Sequence, residues 1–147
     1  VYLRCLELAE ETGFHYSIQT SSKYLGKVTL SMGKIDEAEK YLVQSLTATK
    51  EIGFVRDIIN LLYECARLRV AQDNSEGAVE FLALILQHPA SHLYRRGEGR
   101  IRDSAKDLLA KLEVELPQEA YKAAVDRGQN LVLDEIVADL IGSKSLK

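Results

Sequence analysis

Between residues 36 and 51 the apolar and small positions Ala38, Tyr41, Leu42, Ser45 and Leu46 recur at intervals of three and four, the period of one buried face of an α-helix. The same spacing predicts helices over about Tyr16–Met32 and Asp36–Glu51, then Val55–Ala71 and Ser75–Gln87. Gly33-Lys34 reads as the turn within the first pair, and Asp36 as the N-terminal cap of its second helix. Glu37 and Glu39 follow in the first turn, where the helix dipole favours negative charge. Pro89 stops the second pair, since proline cannot continue the backbone ladder. After a loop with Gly97 and Gly99, a helix from Arg100 to Glu115 carries Ile101, Ala105, Leu108, Leu109 and Leu112 on one face. Another opens at Pro117 and runs to Arg127, with Gly128 as a left-handed C-cap. A last one spans Leu133–Ile141, and residues 143–147 form a polar tail expected to fray.

The chain also repeats itself. Glu11-Thr12-Gly13-Phe14 returns as Glu51-Ile52-Gly53-Phe54. At the same step Ile18 returns as Ile58, Leu42 as Leu82 and Leu46 as Leu86. Run backwards, the rule sets Leu6 under Leu46 and Tyr2 under Leu42, so residues 1–13 read as the second helix of an earlier unit. Each unit is a pair of helices that must bury its apolar face on its neighbours. The expected divisions are 1–13, 14–53 and 54–89 as repeat units, 90–142 as a C-terminal helical cap, and 143–147 as a flexible tail. Val1 in place of Met suggests an excised piece of something larger.

Composition narrows the class of protein. Hydrophobic residues at 46% and charged residues at 28% suit a globular chain and not a disordered one. Residues 1–72 hold nine basic and nine acidic side chains, and 73–147 hold ten and thirteen. Neither half has the basic excess that phosphate-backbone binding leaves, which disfavours nucleic acid. No apolar run approaches the ~18 residues of a membrane span. Cys5 and Cys65 both fall within helical patterns among apolar neighbours and read as reduced, so a cytoplasmic protein is expected.

The spacing of Leu25-Gly26, Ala38, Leu42 and Ser45, and again of Cys65-Ala66, Ala78, Leu82 and Ile85, resembles the tetratricopeptide repeat over residues 1–89. The step from Glu11 to Glu51 is longer than the period of that family, which is about 34 residues. The aromatic expected early in the family's first helix is here Ser22 or Leu62. Longer repeats of this kind are similar to those in the C-terminal arms of bacterial signalling ATPases and of transcriptional regulators of the maltose-activator and antibiotic-regulator type. Leu86-Gln87-His88-Pro89-Ala90, Leu116-Pro117 and Gly128-Gln129-Asn130-Leu131 resemble how such proteins end. The resemblance implies an all-α superhelix of antiparallel hairpins, an α-solenoid. It also implies a concave side, lined by the first helix of each pair, on which extended peptides lie. Carried over residue by residue, that lining is Lys23, Tyr24 and Lys27 in the first unit and Asn60, Tyr63, Glu64 and Arg67 in the second, a set suited to an acidic or carboxylate-bearing segment. The plainer reading is a helix face of ordinary mixed charge.

Other candidate chemistry is sparse. Arg95, Arg96, Arg100 and Arg102 form the densest basic cluster, suited to an anion, with Glu98, Asp103 and Asp107 close enough to neutralise much of it. His88 and His92 have the spacing of two metal ligands on a helix, but Pro89 between them breaks that helix; they read as loop histidines, and His15 as a surface residue at a helix entrance. No nucleophilic triad or carboxylate pair is visible, and no cofactor motif. The expectation is therefore a protein-interaction module and not an enzyme. Alternatives are a small-ligand-sensing arm of an ATPase regulator and a nucleic-acid-binding helical repeat. An apolar stripe of Tyr2, Leu6 and Ala9 is expected at the open edge, predicting self-association through residues 1–12.

Overall fold

The computed structural model describes residues 1–92 and 101–143. Among them are eight α-helices and no strand: α1 (Tyr2–Thr12), α2 (His15–Ser31), α3 (Ile35–Ile52), α4 (Val55–Ala71), α5 (Ser75–Gln87), α6 (Ile101–Glu115), α7 (Gln118–Gln129) and α8 (Leu133–Ser143). A short 3-10 helix at Pro89–His92 follows α5, where proline ends the α-helical ladder. The protein is all-α. The tail beyond Ser143 lies outside the described residues.

The local backbone recurs at the same step as the sequence. α2 and α4 begin at His15 and Val55 and end at Ser31 and Ala71, and α3 and α5 begin at Ile35 and Ser75. Gly13 and Gly53 close α1 and α3 in the left-handed conformation, with φ of 68° and 84°. Gly33, with φ 76°, is matched by Asp73, with φ 60°. These four residues turn the chain sharply enough for the next helix to pack back on the last, and glycine is favoured there because it has no Cβ to clash. Asp73 meets the same demand with one of the short polar side chains that tolerate it.

Two helix ends differ from expectation. Asp36 is not a cap: α3 already starts at Ile35, preceded by Lys34 with no side-chain cap, because the left-handed Gly33 lets the helix begin two residues later. Asp36 and Glu37 sit instead in its first turn. In α5 the cap is made as the rule has it, with Asn74 Oδ1 accepting from the Gly77 amide at 3.0 Å. Gly128 is not a C-cap either. It is buried within α7, which runs on to Gln129, and a Cβ there would lie 2.8 Å from Ala83 Cβ and 2.9 Å from Glu80 Cα. Gly128 is the point at which α7 touches the backbone of α5.

The most extensive packing is α2 on α3, followed by α7 on α5 and α4 on α5, with α1 on α2 and α3 on α4 completing the order. Gly26 allows the first of these approaches, since its missing Cβ would stand 2.8 Å from Leu42 Cδ2. The C-terminal helices do not simply extend this order. α7 rests on α5 far more than on α6, and α8 reaches back to α3.

The core is uneven. Ile59, Leu61, Leu62, Phe81, Leu82 and Ile85 of α4 and α5 are fully buried, whereas the buried side chains of α2 include Gln19, Ser21, Ser22 and Lys23. The first pair compensates with hydrogen bonds, Ser45 Oγ donating to the Gln19 carbonyl at 2.8 Å and Thr49 Oγ1 to the Ser45 carbonyl at 2.7 Å. A buried hydroxyl without such an acceptor would cost about 1–3 kcal/mol.

Candidate functional site

Residues three or four apart on a helix share a face, and on that ground Lys23, Tyr24 and Lys27 belong together on α2, as do Asn60, Tyr63, Glu64 and Arg67 on α4. The structure joins the two sets through Glu64. Its carboxylate lies 2.9 Å from an Arg67 guanidinium nitrogen and 3.9 Å from Lys27 Nζ, across the gap between α4 and α2. Glu64 is buried, while Lys27 and Arg67 are both partly open to solvent. One buried carboxylate therefore holds two partly exposed cations and relieves the repulsion that the basic residues alone would suffer.

Tyr24 forms the centre of the α2 half. Lys23 Nζ stands 5.1 Å and Lys27 Nζ 5.7 Å from its ring centre, within range of cation–π attraction. Lys23 itself is buried. Tyr2 of α1 stacks on the same ring at 4.8 Å, with the planes 16° apart. On α4, Asn60 is half-buried one turn before Glu64. Burial raises the pKa of the Tyr63 phenol; Arg67 opposes this, while Glu64 and Asp107 of α6 add to it. Tyr2 joins the strip through its stacking on Tyr24, and Asp107 is near enough to act on the Tyr63 phenol; sequence reasoning misses both. The repeat pattern puts Tyr2 on a self-associating edge, and charge counting makes Asp107 only a neutraliser of nearby arginines.

Of the basic loop cluster, Arg102 alone lies among the described residues. Its guanidinium donates to the Leu86 carbonyl and, at 2.9 Å, to Ser91 Oγ. It thereby ties the start of α6 to the end of α5. Arg95, Arg96 and Arg100 fall outside the described residues. His88 Nδ1 accepts from the Ala90 amide at 3.1 Å in the turn after α5, while His92 and His15 are exposed. Among the described residues no three His, Cys, Asp or Glu side chains are placed to hold a metal ion, and no helix is long and apolar enough to cross a membrane.

A second ionic cluster joins α4, α5 and α7. Arg69 lies 3.8 Å over the Phe81 ring, donates to the Gly77 carbonyl at 3.0 Å and approaches Glu80 at 4.0 Å. Burial lowers the Arg69 pKa and Glu80 opposes that shift. From α7, Arg127 reaches Glu80 at 2.7 Å and Glu76 at 3.2 Å. These contacts flank Gly128 and hold α7 against α5.

The two cysteines separate sharply. Cys5 has apolar neighbours in Tyr2, Leu8 and Ala9 but is exposed, because no described helix lies against its side of α1. Cys65 is buried, and burial pushes its thiol up to about 12 from 9.0. Between those values the unfolded chain ionises at Cys65 and the folded one does not. This contribution to stability is thus complete below pH 9 and declines as the pH rises toward 12. At pH 8 a thiol reagent is expected to modify one cysteine per chain, Cys5, until denaturant releases the second. Equal native reactivity of both would contradict the burial of Cys65.

No protein-family model matches the chain, and neither curated proteins nor solved structures yield a match.

Proposed function

We propose that this protein is a helical-repeat interaction module of the tetratricopeptide kind, which holds an acidic, extended peptide across the α2–α4 face. On this reading the paired helices form a solenoid, α2 and α4 line its concave side, and α6–α8 cap its end. The module would serve as the C-terminal part of a larger bacterial signalling or transcriptional-regulatory protein in the cytoplasm. The observation that carries the reading is the clustering of Lys23, Tyr24 and Lys27 with Tyr63 and Arg67, bridged by Glu64. Three cations, Lys23, Lys27 and Arg67, gather around the single carboxylate, Glu64, that bridges the two helices. The tyrosines supply flat contact area that loses little entropy when a partner is held.

The ligand for the test is a fluorescent peptide of alternating glutamate and glycine with one aromatic residue. Lys27→Glu is the variant of choice, because the Lys27 side chain is 43% exposed and its pairing with Glu64 is long, at 3.9 Å. Lys23 is buried, and Arg67 is held at 2.9 Å, so reversing either would disturb the fold. Lys27→Glu is expected to weaken binding about fivefold to tenfold, an effect of roughly 1 kcal/mol as for an exposed charge contact. Lys27→Gln, which removes the charge without setting a second carboxylate beside Glu64, should weaken binding in the same direction with melting little changed. Wild-type affinity should fall steeply with added salt. Binding indifferent to both salt and Lys27→Glu would remove the peptide from this face.

A further inference from the structure

α1 exposes positions that its counterpart α3 buries. Moved along by the step that takes Glu11 to Glu51, Tyr2, Cys5 and Leu8 coincide with Leu42, Ser45 and Ala48. Leu42 and Ala48 are 0% and 4% exposed and Ser45 is buried, whereas Tyr2 and Leu8 are 41% and 45% exposed and Cys5 is exposed. The rest of the correspondence is kept. Leu6 and Ala9 are buried, as Leu46 and Thr49 are. The expected edge of Tyr2, Leu6 and Ala9 is therefore corrected to Tyr2, Cys5 and Leu8, because α2 already covers Leu6 and Ala9.

The neighbours account for this division. α3 has α4 on one side and α2 on the other, and its contacts with α2 run through Leu42 against Gly26 and Ser45 Oγ on the Gln19 carbonyl. α1 has α2 in the place of α4, but no described helix in the place of α2. In that place lies an open groove of about 450 Å³, floored by Tyr2, Cys5 and Leu8 and walled on α2 by Tyr16, Ser17 and Thr20. Ser17 and Thr20 correspond to Asp57 and Asn60 on α4, a helix that itself packs against α2. The groove thus continues, by one step, the interface already formed by α2 with α3 and α4.

We infer that this groove seats one further amphipathic helix of the α2 and α4 kind, antiparallel to α1, joined to its N-terminal side by a tight turn, and presenting a small residue to Tyr2 as Gly26 presents one to Leu42. A second copy of the chain is the poorer occupant, because its own helices of this kind are covered by α3 and α5. The inference rests on the recurrence of the helix pair and not on what the α2–α4 face binds.

The test places a copy of residues 14–40 directly before Val1, so that the copied register runs into α1. Modification of Cys5 by a thiol reagent is expected to slow about tenfold, since access governs its rate. The same extension carrying Gly26→Leu in the copied segment should leave Cys5 as reactive as in the unextended chain. An extension that is helical by circular dichroism yet protects Cys5 in neither form would overturn the inference. So would an unextended chain that is already a stable dimer with Cys5 shielded, which would give the face to a second copy. Should the extended chain fail to fold, a synthetic peptide of residues 14–33 is titrated against the unextended protein. Concentration-dependent shielding of Cys5 then supports the inference, and its absence refutes it.

Discussion

Gly128→Leu is expected to lower the melting temperature by about 10 °C, the shift that a cost of roughly 3 kcal/mol produces in a chain of this size. The magnitude follows from what a side chain at residue 128 would strike. The nearest atoms are the Glu80 carbonyl oxygen and Glu80 Cα of α5, with Ala83 Cβ at 2.8 Å. Backbone cannot rotate out of the way, so α7 must lift as a unit. Lifting it also separates Arg127 from Glu76 and Glu80 and breaks the bond from Gln87 Nε2 to the Gln129 carbonyl, 2.8 Å long. The variant should accordingly be cut by protease within 118–129 under conditions where the wild type is resistant. A C-cap glycine in that position would instead tolerate Asn, which also adopts the left-handed conformation. Gly128→Asn with wild-type melting would return Gly128 to that simpler role.

Gly26→Leu is the second large effect, and it should be smaller, about 2 kcal/mol. Here the added atoms would meet the end of the Leu42 side chain, Cδ2 at 2.8 Å and Cγ at 3.0 Å, with the Leu42 amide farther off at 3.6 Å. A leucine can change rotamer where a carbonyl cannot, so Gly26→Ala should be nearly tolerated. Gly26→Leu would force α2 away from α3 and open the polar interior around Gln19 and Ser45. A double variant, Gly26→Leu with Leu42→Ala, should recover part of the loss, because the volume is conserved across the contact. No recovery in the double variant would mean that Gly26 and Leu42 are not the point where the two helices cross.

Much of the fold was legible because it is set by short-range chemistry. Helix period, the glycines that turn the chain at residues 13, 33 and 53, and the proline that ends α5 act within a few residues of themselves. The expected helix spans accordingly lie close to the observed ones. The self-similarity that matches Gly13-Phe14 to Gly53-Phe54 was equally plain, and the pairing of Leu6 with Leu46 holds through to burial. Gly128 shows where such reasoning stops. A glycine near the end of an amphipathic stretch has the same local signature whether it caps the helix or admits another helix's backbone. Only the arrival of α5 from elsewhere in the chain distinguishes the two.

The candidate site divides along the same line. The sequence by itself determined which residues share a helix face: Lys23, Tyr24 and Lys27 on one, Asn60, Tyr63, Glu64 and Arg67 on another, since spacing along a helix is enough for that. Tertiary structure alone decided that Glu64 stands between Lys27 and Arg67, that Tyr2 stacks on Tyr24, and that Cys5 is open while Cys65 is sealed. It likewise decided that α7 lies on α5 in preference to α6. Each of these depends on the distance and angle between helices far apart in sequence. Those are fixed by the packing of whole faces, to which small residues such as Gly26 and Gly128 contribute a close approach that no local pattern announces.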